Sequence, residues 1–374
     1  MKYMILAGET SGDIHGARLI TELKNLDSKA SFTFTGGDSM IKAAGTDAVI
    51  HISDMAFMGF SEVLRNLSRI KDNMRAIKSV LHREKPDALV LIDYPSFNLR
   101  LAKEAKRMQV PVFYYISPKV WAWKEHRVAQ IKKYVDKVFV IFPFEVSFYK
   151  ERHDYDVVYV GNPTVEEVAE DLANVPGRRA FLERNSLRDR PIVALLPGSR
   201  KGEIRNNLAV MAKTLESFPQ YRAVICGAPG IKQDFYSQIC DLPVIYGQTV
   251  ALLKHSVAAL VTSGTATLET AVVGTPQVAC YRSNGQRIAF EIMKKIIKVP
   301  FVTLPNLIAN REVIPEMLLH NCTPELIGKA LIPLLTPTHE RQEMLAGYAD
   351  IMDRLNTSGS PAANVASLIY NSIK

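Results

Sequence analysis

Ile192-Val193-Ala194-Leu195-Leu196-Pro197-Gly198-Ser199-Arg200-Lys201-Gly202-Glu203 decides the fold. A short apolar strand runs into a glycine-bearing turn, and an amphipathic helix follows. Such a turn out of a parallel strand exposes backbone N–H groups at the positive end of a helix, which suits a phosphate. Outward from this stretch, short β-branched and apolar runs alternate with longer helical patterns in both halves, the mark of α/β parallel sheets covered by helices. The strands expected are residues 2–7, 31–35, 88–93, 111–117, 137–141 and 157–160, then 192–196, 222–226, 244–246, 258–262 and 278–281. The series restarts near Pro191, and Gly161-Asn162-Pro163 with the polar stretch behind it marks the hinge.

The chain has 374 residues, about twice a typical domain, and 47 % are hydrophobic, enough for two cores. Its longest apolar runs, 88–92 and 138–142, stop far short of the ~20 residues a spanning helix requires. The N-terminus enters a strand with no cleavage site behind an apolar region, so a cytoplasmic protein is expected. Cys226, Cys240, Cys280 and Cys322 are widely spaced and suggest reduced thiols rather than a metal site. The formal charge of +8 favours an anionic partner: nucleic acid, a phosphate-bearing substrate or a membrane surface.

A second loop of small residues, Ser263-Gly264-Thr265-Ala266-Thr267-Leu268-Glu269, follows strand 258–262. Glu269 stands about one turn into the helix, within reach of a ribose diol. The loop after the first strand, Gly8 to Gly16, has neither a GxGxxG pattern nor a Walker GK[ST], which argues against NAD and a P-loop. Asp93 ends an apolar strand, where ligands gather in open parallel sheets, and is the candidate general base, ahead of His15 and His126. Residues 55–60, an uncharged methionine- and aromatic-rich run, lead into a helix with an apolar stripe from Val63 and Leu67 to Leu81 and cations on its other faces. That combination suits a protein resting on a bilayer, with Phe57, Met58, Phe60, Val63 and Leu67 as the contacts.

Six blocks carry a resemblance: Gly8-Glu9-Thr10-Ser11-Gly12-Asp13, Ile92-Asp93-Tyr94-Pro95-Ser96-Phe97-Asn98, Ser117-Pro118-Lys119-Val120-Trp121-Ala122-Trp123, Leu196-Pro197-Gly198-Ser199-Arg200, 263–269, and Leu304-Pro305-Asn306-Leu307-Ile308-Ala309-Asn310-Arg311-Glu312. In this order they resemble the lipid-A-disaccharide synthase family. The resemblance implies a GT-B fold, two Rossmann-like domains with parallel sheets facing across a cleft. Residues 1–163, completed by the tail 341–374, would form the acceptor- and membrane-facing domain, and residues 164–340 the UDP-sugar-binding domain.

It further implies an inverting transfer that builds the β-1,6-linked lipid A disaccharide from UDP-2,3-diacylglucosamine and 2,3-diacylglucosamine 1-phosphate, releasing UDP with no cofactor and no metal. The expected partners are those two sugars and the inner-membrane surface, with no nucleic acid; a homodimer is left open. The catalytic residues expected are Asp93, Arg200 and Asn306. Gly198, Ser199, Arg200, Ser263, Gly264, Thr265, Ala266, Glu269 and Arg282 would bind the UDP-sugar, and Glu9, Ser11, Gly12, Asp13, Asn98 and Trp121 the acceptor. Asn306, Arg311 and Glu312 line a loop that the resemblance brings into the cleft. The chain departs from the family at Asn162, where histidine is expected, at Asn310, where glycine is expected, and at Lys119, which replaces a smaller residue.

Two other readings stay open. Another UDP-sugar enzyme of this fold, a peptidoglycan glucosaminyltransferase or a UDP-glucosamine epimerase, would share the nucleotide loops. A nucleic-acid-binding protein is supported only by charge and by Trp121 and Trp123 among basic residues.

Overall fold

The computed structural model describes residues 1–55, 67–282 and 301–374. The chain divides into two compact units, Met1–Pro163 with Thr357–Lys374, and Thr164–Asn356.

The first unit holds a sheet of strands β1 (Lys2–Leu6), β2 (Ser31–Gly36), β3 (Ile50–His51), β4 (Ala88–Ile92), β5 (Val112–Tyr115), β6 (Lys137–Val140) and β7 (Val158–Tyr159), in the order β3-β2-β1-β4-β5-β6-β7. Its pairings are parallel, with Leu6 opposite Leu91 at the centre. Side chains along a strand alternate between faces, so one sheet builds two cores. Met4, Leu6, Leu89 and Leu91 pack on one side, joined by Ile77 and Leu81 of helix Leu67–Glu84. Tyr3, Ile5, Val90 and Ile92 pack on the other, under helices Thr10–Leu26 and Pro361–Ile373. The apolar stripe is therefore core at Ile77 and Leu81. Phe57, Met58, Phe60 and Val63 lie outside the described residues, and Leu67 begins the described helix.

The second unit repeats the plan with β8 (Ile192–Leu196), β9 (Arg222–Gly227), β10 (Val244–Tyr246), β11 (Ser256–Thr262), β12 (Gln277–Tyr281) and β13 (Glu316–Leu318), in the parallel order β10-β9-β8-β11-β12-β13. Helix His339–Leu355 belongs to this unit, because buried Tyr348 takes a hydrogen bond from Gln277 Nε2 at 3.3 Å. The tail therefore rejoins the first unit at Thr357, not at 341. There Ser360 caps the last helix, with Pro361 in its first turn. Among the described residues no helix is long and apolar enough to cross a membrane.

Strand order reverses between β1 and β4 in the first sheet and between β8 and β11 in the second. At such a switch point the connections leave in opposite directions and open a crevice at the carboxyl ends of the strands. Gly8-Glu9 and Asp93-Tyr94 flank the first crevice, and Gly198-Ser199 and Ser263-Gly264 the second.

Candidate active site

The turn after β4 is strained. Asp93 and Tyr94 are consecutive non-glycine residues in the left-handed region, at φ 42° and 45°, a conformation kept only where the surroundings over-determine it. Here they do. The Asp93 carbonyl accepts from Tyr114 Oη at 2.6 Å and from Asn98 Nδ2 at 2.8 Å, while its N–H donates to the Tyr115 carbonyl. Tyr94 Oη donates to the Met55 carbonyl at 3.1 Å, and its ring lies where a Cβ on Gly8 would come within 2.5 Å. Only glycine fits at that position. Helix Pro95–Arg107 starts behind the turn without a side-chain cap, so Asp93 does not serve it in that role.

Burial pushes the Asp93 carboxyl up to about 6, helped by the neighbouring Glu9 charge and opposed by Lys119. A carboxyl there is ionised at neutral pH yet basic enough to take a proton. Burial instead lowers His15 to about 4, which makes it the weaker base.

The other acceptor-side residues divide. Glu9 is half-buried and Ser11 exposed at the open start of helix Thr10–Leu26. Asp13 is buried, and its carboxylate accepts from the N–H groups of Gly37, Ser39 and Met40 at 2.6, 3.1 and 3.0 Å. Its oxygens are committed to the start of helix Asp38–Ala44, which corrects its assignment to the acceptor. Gly12 is likewise a packing residue, since a Cβ there would lie 3.2 Å from that of Ala7. Asn98, buried beneath the turn, positions Asp93 rather than touching a substrate. Trp121 is corrected in the same way: it is buried, and its Nε1 donates to Glu145 at 3.2 Å.

Glu145 was not among the expected residues. Its second oxygen accepts from the Phe142 N–H at 3.1 Å, so this one fully buried carboxyl, pushed up to about 8 by burial, ties segment 117–124 to helix Pro143–His153. Proline in the first turn with glutamate at the third position was the available signal, but it indicates a cap and says nothing of the tryptophan.

In the second unit a cavity of about 320 Å³ lies at the switch point. Gly198, Ser199, Ser263, Gly264, Thr265, Ala266 and Glu269 line it together, as the two loops require. Gly198 and Gly264 have φ of 111° and 143°, which explains why both turns carry glycine. Helix Thr265–Val273 has no side-chain cap, leaving its first amides for an anion. Glu269 is pushed up to about 7, first by burial and then by Asp171 and Glu167.

Two expected ligands are absent from this lining. Arg200 is exposed and paired with Glu203 at 3.0 Å, and Arg282 is tied through its backbone N–H to Asn207 Oδ1 at 2.7 Å. Cys226, Gly227 and Thr249 also line the cavity. Their positions at the carboxyl end of β9 and at the start of helix Thr249–Lys254 were the only sequence signal for them. The four cysteines are free thiols.

Asn306 holds the loop that follows it. It is fully buried, its Nδ2 donates to the Ile314 carbonyl and to Glu316 at 2.9 and 3.0 Å, and its Oδ1 accepts from the N–H groups of Val313 and Ile314 at 2.7 and 2.9 Å. Every position on the amide is used. Asn306→Ala should destabilise the protein by about 2–4 kcal/mol in urea unfolding, because it strands buried donors and acceptors. Asn310 takes the left-handed position that ends helix Leu304–Ala309, at φ 52°, where glycine was expected. Arg311 and Glu312 are exposed beyond it, and Arg311 faces Asp350 at 3.6 Å.

Known proteins share this architecture. A search of solved structures finds the same fold in a putative UDP-N-acetylglucosamine 2-epimerase from Listeria monocytogenes (TM-score 0.67, 13 % identity, 100 % of this chain and 95 % of that one) and in MurG from Acinetobacter baumannii (TM-score 0.57, 12 % identity, 99 % of each chain). The fold is thus the GT-B type built from two Rossmann-like units. A lipid-A-disaccharide synthase from Myxococcus xanthus is 37 % identical over 98 % of this chain and 97 % of its own length, and one from Syntrophotalea carbinolica is 37 % identical over 98 % and 94 %. The profile of the lipid-A-disaccharide synthetase family matches residues 3–370, and the chain belongs to that family.

Proposed function

We propose that this enzyme transfers 2,3-diacylglucosamine from its UDP ester to the 6-hydroxyl of 2,3-diacylglucosamine 1-phosphate, with inversion, giving the β-1,6-linked disaccharide and UDP. The observation that carries the reading is the strained, over-determined turn that holds Asp93 at the first switch point. As the hydroxyl oxygen bonds to the anomeric carbon, its proton passes to Asp93 and the bond from that carbon to the diphosphate breaks. Negative charge then collects on the diphosphate, where the N–H groups of Thr265 and Ala266 stabilise it. Arg200 leaves Glu203 to join them, a surface pair worth little when broken. Glu269 accepts from the ribose hydroxyls.

Acylated substrates reside in a bilayer, and the enzyme works on its cytoplasmic surface. Arg69, Lys71 and Arg75 of helix Leu67–Glu84, and in the sequence before it the uncharged run 56–60, supply the basic and apolar contacts such a surface recruits. Replacing Phe57, Met58 and Phe60 with serine should release the protein from anionic vesicles in sedimentation while UDP binding is kept; retention equal to wild type removes that segment from the membrane contact.

The test of the reaction is UDP release from the diacylated UDP-sugar with and without the acylated sugar phosphate. Release that requires the acceptor supports the transfer. Consumption of the UDP-sugar with no acceptor present would favour an epimerase instead.

A further inference from the structure

Residues 119–127 form a compact hook beside the Asp93 turn. The Lys119 carbonyl accepts from the N–H groups of Ala122 and Trp123, and the Lys124 carbonyl from that of Arg127. Trp121 is drawn inward by Glu145, which leaves Trp123 outward and 54 % exposed. Lys124 Nζ stands 4.2 Å from the Trp123 ring centre. Arg127 reaches back to the start of helix Pro95–Arg107, where its Nη2 donates to Ser96 Oγ at 2.9 Å, three residues from Asp93. Lys119, on the near side, acts on the Asp93 carboxyl itself.

Among the described residues, Lys119, Lys124 and Arg127 have no carboxylate in ion-pair contact, and Glu125 within the hook faces His153 at 3.2 Å. Lys119 acts near the Asp93 carboxyl, Ser96 holds Arg127, and Lys124 stands over the exposed indole, so one short segment offers cations and a flat apolar face to an anion attached to an apolar body.

We infer that Lys119 and Arg127, with Trp123 as the stacking face, form a subsite for a sugar phosphomonoester: the 1-phosphate and ring of the acceptor. The inference rests on the acceptor reading above. C1 and C5 of a pyranose both flank the ring oxygen, so the 1-phosphate and the 6-hydroxymethyl group share one edge of the ring, and a phosphate held at the hook keeps the hydroxyl close to the Asp93 turn that Arg127 reaches through Ser96. Lys119 supplies a compact charge and Arg127 a planar fork, and Ser96 holds that fork in place. An anionic lipid headgroup offers the same phosphate chemistry, so the two sources must be separated by experiment.

Full-length wild type, Lys119→Ala, Arg127→Ala and Lys119→Arg are titrated calorimetrically with glucosamine 1-phosphate, with glucosamine and with UDP. They are also assayed with the diacylated acceptor with and without its phosphate. The alanine variants should bind glucosamine 1-phosphate about tenfold or more weakly, the loss expected for a charge-assisted contact. Their KM for the phosphorylated acceptor should rise by a similar factor, with UDP affinity unchanged and Lys119→Arg largely restored.

Wild type that binds glucosamine 1-phosphate no better than glucosamine overturns the subsite, as does an equal loss on both acceptors. Loss of binding to anionic vesicles with acceptor preference intact assigns the cations to lipid headgroups and also overturns it. If glucosamine 1-phosphate binds as expected but no disaccharide forms, the subsite stands and the proposed reaction falls.

Discussion

Asp93→Asn should lower turnover by about 10²–10⁴-fold, the usual contribution of a positioned general base, while folding and UDP affinity are retained. Asparagine preserves the shape of the side chain, and the hydrogen bonds to the Asp93 carbonyl that hold the turn are kept in the variant, so the backbone should not move. The wild-type rate should also fall about tenfold per pH unit as pH drops below about 6, because the base must be ionised and its carboxyl is pushed up to about 6.

The same shift has a stability consequence of opposite sense. A carboxyl raised in the folded state contributes stability at low pH that is lost as pH rises through its folded value. Asp93→Asn should therefore be at least as stable as wild type above pH about 6 in thermal unfolding. Turnover within a few-fold of wild type, in a folded variant, would remove Asp93 from the base role.

Gly264→Ala should weaken UDP by about a hundredfold. Its φ of 143° and ψ of −158° lie in a region open essentially to glycine, so alanine costs about 1–3 kcal/mol in strain. The loop can relieve that strain only by turning away the amides that face the diphosphate. Nothing lies within 4 Å of the added Cβ, so the effect would come from the backbone and not from a clash. Glu269→Ala, which removes the ribose acceptor, should cost about tenfold. Calorimetry on the full-length protein reads both, and unchanged UDP affinity in the two variants would move the nucleotide out of this cavity.

Most of the architecture was readable because each central strand is an apolar run long enough to stand out against the helices between. The two strands missing from that reading, β3 (Ile50–His51) and β13 (Glu316–Leu318), are sheet-edge pieces too short for any periodicity to show. The nucleotide loops were readable for a local reason, since a strand, a glycine at positive φ and a helix start are neighbours in sequence. What could not be read depends on partners distant in the chain. Asp13 is occupied by amides at Gly37 to Met40, 24 to 27 residues on, Asn306 by the backbone at Val313 and by Glu316 of β13, and Trp121 by Glu145. Each looked like a free polar group in the sequence and is a buried staple in the fold. Arg200 differs, because its partner Glu203 was visible three residues on, and the geometry shows the pair formed.

An inverting transfer between two acylated sugars leaves its record in the linkage of the product. The purified enzyme is given the diacylated UDP-sugar and the diacylated sugar 1-phosphate, and the product is examined by proton and carbon NMR. A disaccharide linked from the anomeric carbon of one glucosamine to the 6-oxygen of the other, with β configuration, is expected. An α linkage, attachment at another hydroxyl, or a UDP-sugar merely epimerised would contradict it.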